Sequence, residues 1–196
     1  MKVLMFNGSP RENGCTNAAL KIIADQLKKE GIESKIICVG NREISGVGAG
    51  GDDAFIKEIA SQIKDYDGFV FGSPVYYASP NGTMISFLDR LFATCKDFAL
   101  KPACCVVSCR RGGATASVDV LNKYPMFYNM PLISSNYWNM VHGNSPKEVL
   151  KDEEGVQTME LLGRNMAYFL KCIKCGKENN LFPPEIPNKI KTNYIR

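Results

Sequence analysis

Short apolar runs and longer amphipathic segments alternate along this chain, and the alternation limits its fold more than any other feature. Four runs have the length of a buried strand, at residues 3–6, 35–39, 69–72 and 103–108. Between them, apolar residues recur three and four positions apart, which is typical of helices. Strands that alternate with helices predict a parallel sheet with helices on both faces, built from right-handed crossovers.

The helical segments have recognisable boundaries. The first covers residues 16–30 and ends at Gly31, and the second, marked by apolar residues from Phe55 to Ile63, follows two aspartates that suit the positive end of a helix. Ser145 and Glu148 have capping-box spacing, with a proline at the first helical position. The remaining helices are predicted around residues 84–92, around residues 117–122 and from Gly155 onward.

The C-terminal third completes the predicted architecture. Residues 131–137 are the best candidate for a fifth strand, although they are more polar than the other four. The prediction is a doubly wound five-stranded α/β domain over residues 1–178. Residues 179–196 hold three prolines among large apolar side chains, so they predict an extended C-terminal arm that packs against another surface.

Composition and charge exclude several classes of protein. With 24 Lys and Arg residues against 20 Asp and Glu residues, the net charge is only +4, and no run of like charges occurs. This positive charge is too dilute for a nucleic-acid surface. The apolar stretches are far shorter than the ~20 residues of a membrane span. Polar Asn7 interrupts the first apolar run too early for a signal peptide. We therefore expect a cytoplasmic protein without nucleic-acid or membrane partners.

Eight cysteines and a single histidine limit the chemistry of the side chains. Most cysteines lie inside apolar runs, so we expect reduced structural thiols and no disulfide framework. Cys172 and Cys175 form a CxxC motif at the C-terminal end of a predicted helix, whereas the redox motif works at a helix N-terminus. His142 alone cannot form a two-histidine metal site. No metal ligand and no catalytic side chain are predicted.

The loop at residues 7–16 leaves the carboxyl end of the first strand, where ligands bind in open parallel sheets. Its glycines let backbone N–H groups converge, Ser9 and Thr16 supply hydroxyls, and Arg11 supplies charge at a helix N-terminus. This pattern predicts a phosphate cradle; an ordinary glycine-rich turn is the alternative. A nucleoside-triphosphate P-loop is disfavoured because its lysine position is occupied by Cys15 and the glycine spacing is one residue too long.

Two further loops leave the same predicted edge. Residues 72–82 carry Tyr76 and Tyr77 between two prolines, and exposed aromatics on a stiff loop suit stacking on a planar heterocycle. Such a pair is also common in ordinary core packing. Residues 108–114 offer glycine amides with Arg110 and Arg111, and the alternative for them is a solvated turn.

Together these loops resemble the flavodoxin-like NAD(P)H-dependent FMN reductase family, which includes multimeric flavodoxins and iron–sulfur flavoproteins. The similarity extends from Lys2 to about Leu170. It rests on GSPR at 8–11 with Gly14 and Thr16, on GSPVYY at 72–77, on SFLDR at 86–90 and on GRNM at 163–166.

The resemblance implies a flavodoxin-like fold, FMN as cofactor, NAD(P)H as co-substrate, and a homodimer or homotetramer. In the family the first loop holds the FMN phosphate, the second borders the isoalloxazine ring and the third lies by its pyrimidine end. Carried onto this sequence, the first set is Ser9, Arg11, Cys15, Thr16 and Asn17, with Cys15 acting through its backbone N–H. The second set is Pro74, Val75, Tyr76 and Tyr77 with Asn81 as a further candidate, and the third is Ser108, Gly112 and Gly113.

One segment departs from the iron–sulfur members, which carry a compact cysteine cluster after the second strand. This chain reads ISGVGAGG at residues 44–51, so it offers no cluster ligands there. The same segment spells G-x-G-x-x-G, but a dinucleotide fingerprint belongs after the first strand. A flexible or shortened loop is the better interpretation.

The expected function is an oxidoreductase in which NAD(P)H gives a hydride to FMN, which then reduces a quinone, a flavin, an azo compound or a similar acceptor. Two alternatives are a flavodoxin-type electron carrier without its own NAD(P)H turnover and a regulatory domain with an empty pocket. The small positive net charge argues against the carrier, because flavodoxin-type carriers are typically strongly acidic.

Overall fold

A six-stranded sheet with helices on both faces forms the centre of the protein. The structure is a computed structural model that describes residues 1–47, 54–188, 190–192 and 194. In chain order the elements are β1 (Lys2–Asn7), α1 (Cys15–Lys29), β2 (Glu33–Cys38), α2 (Ala54–Gln62), a 3-10 turn (Ile63–Asp65), β3 (Gly68–Tyr76), β4 (Ser79–Pro80), α3 (Gly82–Thr94), β5 (Ala103–Cys109), α4 (Ala114–Phe127), β6 (Met140–His142), α5 (Pro146–Val149) and α6 (Glu153–Glu178).

Five of the strands are parallel and follow the order β2-β1-β3-β5-β6. The two-residue β4 pairs antiparallel with the end of β3 and forms a small hairpin there. With β4 set aside, the parallel strands have the 2-1-3-4-5 order of flavodoxin-like sheets, whose order reverses between β1 and β3. The predicted parallel, doubly wound sheet is therefore confirmed, while the predicted count of five strands omitted β4.

The two faces of the sheet bury separate apolar layers. On β1, Val3 and Met5 face the layer of α1 and α6, whereas Leu4 and Phe6 face the layer of α2, α3 and α4. The second layer is rich in aromatic rings, and the centroids of Phe6 and Phe71 lie 5.7 Å apart. Because both faces are covered, the central strands consist almost entirely of apolar residues, which is why the sequence pattern located them.

The last parallel strand lies later in the chain than predicted. Residues 131–137 form no strand and make a single bridge, between Leu132 and Ala103, whereas Met140 and Val141 are the buried residues of β6. Pro131 has no N–H for a sheet ladder. Three residues are too few to produce a visible periodicity, so the sequence pattern favours the longer and more polar neighbouring segment.

Helix boundaries also differ from the prediction at several points. α4 extends well beyond 117–122 and includes Pro125 in its last turn. Ser145 is the N-cap, since its hydroxyl accepts from Glu148 N, but the Glu148 carboxylate accepts from Asn144 N instead of Ser145 N, and the helix that follows has only four residues. α6 begins at Glu153 and ends in a turn where Asn180 has φ of +60° and Leu181 N donates to Gly176 O at 2.8 Å.

Some predictions lie partly outside the described residues, namely most of the glycine-rich segment 46–51 and the two aspartates before α2. Residues 181–188 belong to no helix or strand. No helix among the described ranges combines the length and apolarity that crossing a membrane requires.

Candidate functional site

A small open cavity, with a volume of about 100 Å³, lies at the carboxyl-end edge of the sheet. Four loops meet there, those that follow β1, β3, β5 and β6. The residues that line the cavity are Ser9, Arg11, Gly14, Cys15, Thr16, Pro74, Val75, Tyr76, Ser108, Arg110, Gly143 and Asn144.

The loop after β1 is held by its own polar groups. Asn7 Oδ1 accepts from Ser9 N at 3.0 Å, and Ser9 Oγ accepts from Arg11 N at 3.1 Å. Gly8 N donates to Gly72 O at 2.7 Å, so the loop is tied to β3. A side chain at Gly8 would press against Gly72 O and Met84, which explains a glycine at this close approach.

The start of α1 opens directly into this cavity without a capping side chain. Gly14 is the N-cap residue and offers no side-chain acceptor to the first-turn N–H groups. Uncapped N–H groups and the positive end of the helix dipole together attract an anion. A Cβ atom at Gly14 would lie 3.1 Å from Arg11 Cβ and 3.2 Å from Ser9 Oγ, so glycine keeps this corner clear.

Cys15, the first residue of α1, is held against the loop that follows β6. Its Sγ donates to Gly143 O at 3.6 Å. Burial raises the pKa of the Cys15 thiol, although the Arg11 guanidinium acts in the opposite direction. A thiol with a raised pKa is protonated at neutral pH and is a poor nucleophile. The Cys15 thiol is therefore unsuited to nucleophilic attack, and the predicted contribution of its backbone N–H remains a prediction.

The positive charge of the cavity comes from two arginines. Arg11 and Arg110 both line it, and within the described part of the chain neither forms an ion pair. An arginine without a carboxylate partner keeps its five N–H donors available for an anionic ligand. Together with the uncapped helix, these guanidinium groups make the cavity suitable for a phosphate group.

The loop after β3 turns sharply at two residues in the left-handed region. Tyr77 has φ of +50° and Ala78 has φ of +58°, at the tip of the β3–β4 hairpin. Two-residue hairpin turns of this kind normally use Asn-Gly or Gly-Gly, so a Tyr-Ala pair here is a strained arrangement. Tyr76 is partly exposed and Tyr77 fully exposed, which excludes the alternative that this pair is core packing.

The loop after β5 presses against this hairpin. Gly113 has φ of +93°, and a Cβ atom there would lie 2.4 Å from Ala78 Cα, so only glycine fits. Cys109 Sγ, 3.0 Å from Gly112 O, closes the turn between them. The second and third loops therefore support each other at the rim of the cavity.

Eight of the thirteen residues predicted for the site line the cavity: Ser9, Arg11, Cys15, Thr16, Pro74, Val75, Tyr76 and Ser108. The other five lie beside it. Tyr77 is at the hairpin tip, Gly112 and Gly113 form the supporting turn, and Asn17 is buried in the first turn of α1. Asn81 caps α3, and its Nδ2 donates to Gly8 O at 2.7 Å, so it joins the first two loops.

Four lining residues were not among the predicted site residues: Gly14, Arg110, Gly143 and Asn144. Gly14 and Arg110 lie inside loops that the sequence predicts at this edge, and their positions in those loops are the signal that points to them. Gly143 and Asn144 directly follow β6. The sequence predicts the fifth strand at 131–137 and therefore no carboxyl-end loop after Met140–His142.

Within the described ranges, no group of three or more His, Cys, Asp and Glu side chains is arranged to hold a metal ion. The eight cysteines are all free; Cys172 and Cys175 are exposed, and four others are buried. The chemistry that the cavity offers is therefore that of hydroxyls, backbone amides and guanidinium groups.

Comparison with known proteins identifies the family. Residues 1–145 match the family model described as NADPH-dependent FMN reductase, a range that contains all thirteen predicted site residues. The chain belongs to this family. It is accordingly an NAD(P)H-dependent flavin oxidoreductase, with FMN as its cofactor and NAD(P)H as its co-substrate.

Two curated relatives and one solved structure place this member more closely. An iron–sulfur flavoprotein of Methanocaldococcus jannaschii is 26% identical over 194 residues, covering 89% of this chain and all of the relative. An NADPH azoreductase of a Bacillus species (strain OY1-2) is 28% identical over 165 residues, covering 82% of each chain. A flavodoxin from the domain Archaea has a TM-score of 0.64 at 15% identity, covering 87% of this chain and 99% of that one, which shows a shared fold.

The residues of the cavity fit FMN. The uncapped start of α1 and Arg11 suit its phosphate, and the hydroxyls of Ser9 and Thr16 lie on the same wall. The wall on the β3 side consists of Pro74, Val75 and Tyr76. It is less polar than the α1 side, which suits a flat ring system.

Proposed function

We propose that this reductase passes a hydride from NAD(P)H to bound FMN and then to a quinone, a flavin, an azo compound or a similar acceptor. The observation that carries the proposal is the uncapped N-terminus of α1 beside Arg11, in the cavity at the carboxyl edge of the sheet. When bound, FMN supplies the ring that accepts and gives the hydride. The azo acceptor is supported by the azoreductase relatives.

In this proposal the loop after β1 binds the phosphate. Backbone N–H groups at Cys15, Thr16 and Asn17 donate to its oxygens, while Arg11 neutralises its charge from the open side. Asn17 then contributes through its backbone, because its side chain is buried and its Nδ2 donates to Asn13 Oδ1. Ser9 and Thr16 add hydroxyl donors.

The loops after β3 and β5 orient the ring. Pro74, Val75 and Tyr76 border one side, and Tyr77 and Asn81 act from the hairpin and from the base of α3. Ser108, with Gly112 and Gly113, supports the pyrimidine end. The chain provides binding and orientation, and no side chain is assigned a catalytic proton transfer.

The visible spectrum of the purified protein, before and after addition of FMN, tests the cofactor site. We expect flavin absorbance bands that stay with the protein on gel filtration. Anaerobic stopped-flow mixing with NADPH and with NADH then tests the reaction, and we expect the flavin to bleach in one two-electron step. Protein that neither contains nor retains FMN would refute the cofactor site.

A flavodoxin-type electron carrier is the alternative that this experiment separates. A carrier would bind FMN but remain oxidised with both nicotinamide nucleotides, and only an added reductase would bleach it. The azoreductase relative favours turnover with a nucleotide instead.

We also propose that residues 1–178 form one FMN-binding domain, that residues 179–196 form a separate arm, and that the protein works in the cytoplasm as a homodimer or homotetramer. All eight cysteines are free, in keeping with a reducing compartment. Apolar side chains along the arm are exposed, which supports association with a further surface.

A further inference from the structure

The last turns of α6 carry two exposed cysteines that the proposed reductase function does not use. Cys172 and Cys175 are both free and both lie on the surface. Residues three positions apart are neighbours on one face of a helix, so the two thiols lie side by side. We call this pair the α6 dithiol.

The α6 dithiol lies at the opposite end of α1 from the cavity at the carboxyl edge of the sheet. α1 begins at that cavity and, with 15 residues, is about 22 Å long. Glu30, the C-cap residue of α1, forms an ion pair with Lys171, which directly precedes Cys172. Chemistry at the dithiol is therefore separated from the cavity by the length of a helix.

The helical geometry of the pair disfavours a disulfide. Side chains three positions apart have their Cβ atoms about 5–6 Å apart, whereas a disulfide needs about 3.5–4.5 Å. α6 stays helical through Glu178, and Asn179 N donates to Cys175 O at 3.1 Å. The negative end of a helix is also unsuited to a free thiolate, which is the form that disulfide exchange needs.

A single metal ion can bridge the two sulfurs without unwinding the helix. Two metal–sulfur bonds of about 2.3 Å leave the sulfurs up to ~4.6 Å apart, so the helical spacing is kept. A metal ion also brings the positive charge that displaces the thiol protons, which the end of the helix does not supply.

The number and the type of ligands select the metal. Within the described residues, no group of three or more His, Cys, Asp and Glu side chains is arranged to hold a metal ion, so the dithiol offers two protein ligands. Structural zinc sites use four ligands. Thiolate sulfur is a soft ligand that favours soft ions such as Cu(I), for which two thiolates are a sufficient ligand set.

The side chains around the dithiol support two thiolates. Asn179 donates its Nδ2 to Cys175 Sγ at 3.6 Å. The Tyr168 hydroxyl is hydrogen-bonded to Cys172, and this bond raises the pKa of Tyr168, so the hydroxyl stays protonated as a donor. Such outer donors hold metal ligands in position. Lys177, which forms no ion pair with a described carboxylate, offsets the net negative charge of two thiolates on one Cu(I).

We propose that Cys172 and Cys175 form a surface site for a soft metal ion, with Cu(I) bound between the two thiolates. Each thiol releases its proton to solvent as one Cu–S bond forms, so nothing is oxidised or reduced. The site goes beyond the reductase function, because neither cysteine lines the cavity.

The test uses the full-length FMN-loaded protein and Cu(I) supplied as its acetonitrile complex without oxygen. Competition with the chromophoric chelator bicinchoninate gives the stoichiometry and the dissociation constant. Cys172→Ser and Cys175→Ser each remove one ligand. The matched control combines Lys174→Cys with Cys175→Ser, which keeps two exposed thiols but places them two positions apart, where helical side chains do not face each other.

We expect one tightly bound Cu(I) per chain with two sulfur neighbours in its X-ray absorption spectrum. Both single variants and the matched control should raise the dissociation constant at least about 100-fold, since a second ligand on the same scaffold acts at high effective concentration. Cys38→Ala, which removes a half-buried thiol on β2, should change it less than about twofold.

A Cu(I) affinity that Cys172→Ser leaves unchanged, or a matched control that binds as tightly as the wild type, would overturn the proposal. Each variant of the α6 dithiol should keep its flavin spectrum and its bleaching by NADPH. A failure of the metal site is therefore distinct from a failure of the reductase assignment.

Discussion

The hydroxyls of Thr16 and Ser108 lie 2.8 Å apart, and this hydrogen bond joins the first turn of α1 to the end of β5 across 92 positions of sequence. Both residues are almost fully buried, with 1% and 5% of their surface exposed. They border the cavity from two different loops. The bond therefore fixes the distance between the loop proposed to bind the phosphate and the loop proposed to support the ring.

A double-mutant cycle on this pair measures its contribution. Thr16→Val or Ser108→Ala alone leaves one buried hydroxyl without its partner, and we expect each to lower the free energy of unfolding by about 1–3 kcal/mol. The double variant should cost less than the sum of the two, because no orphaned hydroxyl remains. Urea denaturation of the FMN-free protein gives the four values. Strictly additive losses would show that the two hydroxyls do not interact.

Arg11 is predicted to supply most of the charge that binds the FMN phosphate. Arg11→Ala should raise the dissociation constant for FMN by about 10–100-fold, as expected for the loss of a charge-assisted hydrogen bond of about 1.5–3 kcal/mol. The stability of the FMN-free protein should change by less than ~0.5 kcal/mol, since Arg11 is exposed. Quenching of FMN fluorescence on titration measures the affinity.

Arg42→Ala is the matched control for Arg11. Arg42 is also an exposed arginine, but its guanidinium lies 3.9 Å from the ring centroid of Phe55 and does not line the cavity. Its removal should leave FMN affinity unchanged. If Arg11→Ala binds FMN as well as the Arg42 control does, the loop after β1 is not the phosphate site.

The first two loops of the site were predictable because the strands before them are fully buried and therefore unmistakable in the sequence. Once β1 and β3 are recognised as parallel strands, Ser9 and Tyr76 must lie at the same edge of the sheet. The family resemblance supplied their roles. Eight predicted residues consequently meet in one cavity.

Two parts of the site could not be read from local patterns. β6 has three residues, which is too short for a periodic signal, so Gly143 and Asn144 behind it were missed. The left-handed turn at Tyr77 and Ala78 has no turn sequence of its own, because its conformation depends on contact with Gly113 from a distant loop. Both features arise from tertiary packing.

The contact between Gly113 and the hairpin should be intolerant of any side chain. Gly113→Ala requires alanine at φ of +93° and brings its Cβ atom into Ala78, so we expect a loss of about 2–4 kcal/mol in the free energy of unfolding. For a chain of this size that loss lowers the melting temperature by roughly 4–16 °C. Thermal denaturation followed by circular dichroism measures the shift.

Gly112→Ala is the control for this substitution. Its φ is not positive, and an added Cβ atom would have no neighbour within 4 Å. It should melt within a few degrees of the wild type. An equal loss from both substitutions would attribute the effect to the glycines' flexibility and not to the fit against Ala78.

The thiols should react with Ellman's reagent in three groups. Cys172 and Cys175 are exposed on α6 and should react first, whereas the four buried thiols should react only when the protein unfolds. Cys15 and Cys38 are half-buried and form the third group, in which Cys15 should react slowly because burial raises its pKa. FMN should slow Cys15 further without protecting Cys175. Mass spectrometry of labelled peptides assigns each site, and equal labelling of Cys15 with and without FMN would place the cofactor elsewhere.

Stability should decrease at alkaline pH because of the buried thiols of Cys104 and Cys105. Burial raises the pKa of both well above 9.0, so above pH 9 the unfolded chain releases thiol protons that the folded chain keeps. The folded state binds more protons there, and its stability falls as the pH rises. At pH 10 each thiol would lower the free energy of unfolding by about 1.4 kcal/mol relative to neutral pH.

Lys101 acts in the opposite direction, since burial lowers its pKa, so the clearest readout is a difference between variants. Urea denaturation at pH 7 and pH 10 should show a smaller decrease for Cys104→Ala than for wild type, whereas Cys175→Ala, which removes an exposed thiol, should retain the wild-type decrease. The same decrease in Cys104→Ala would show that other groups control alkaline unfolding.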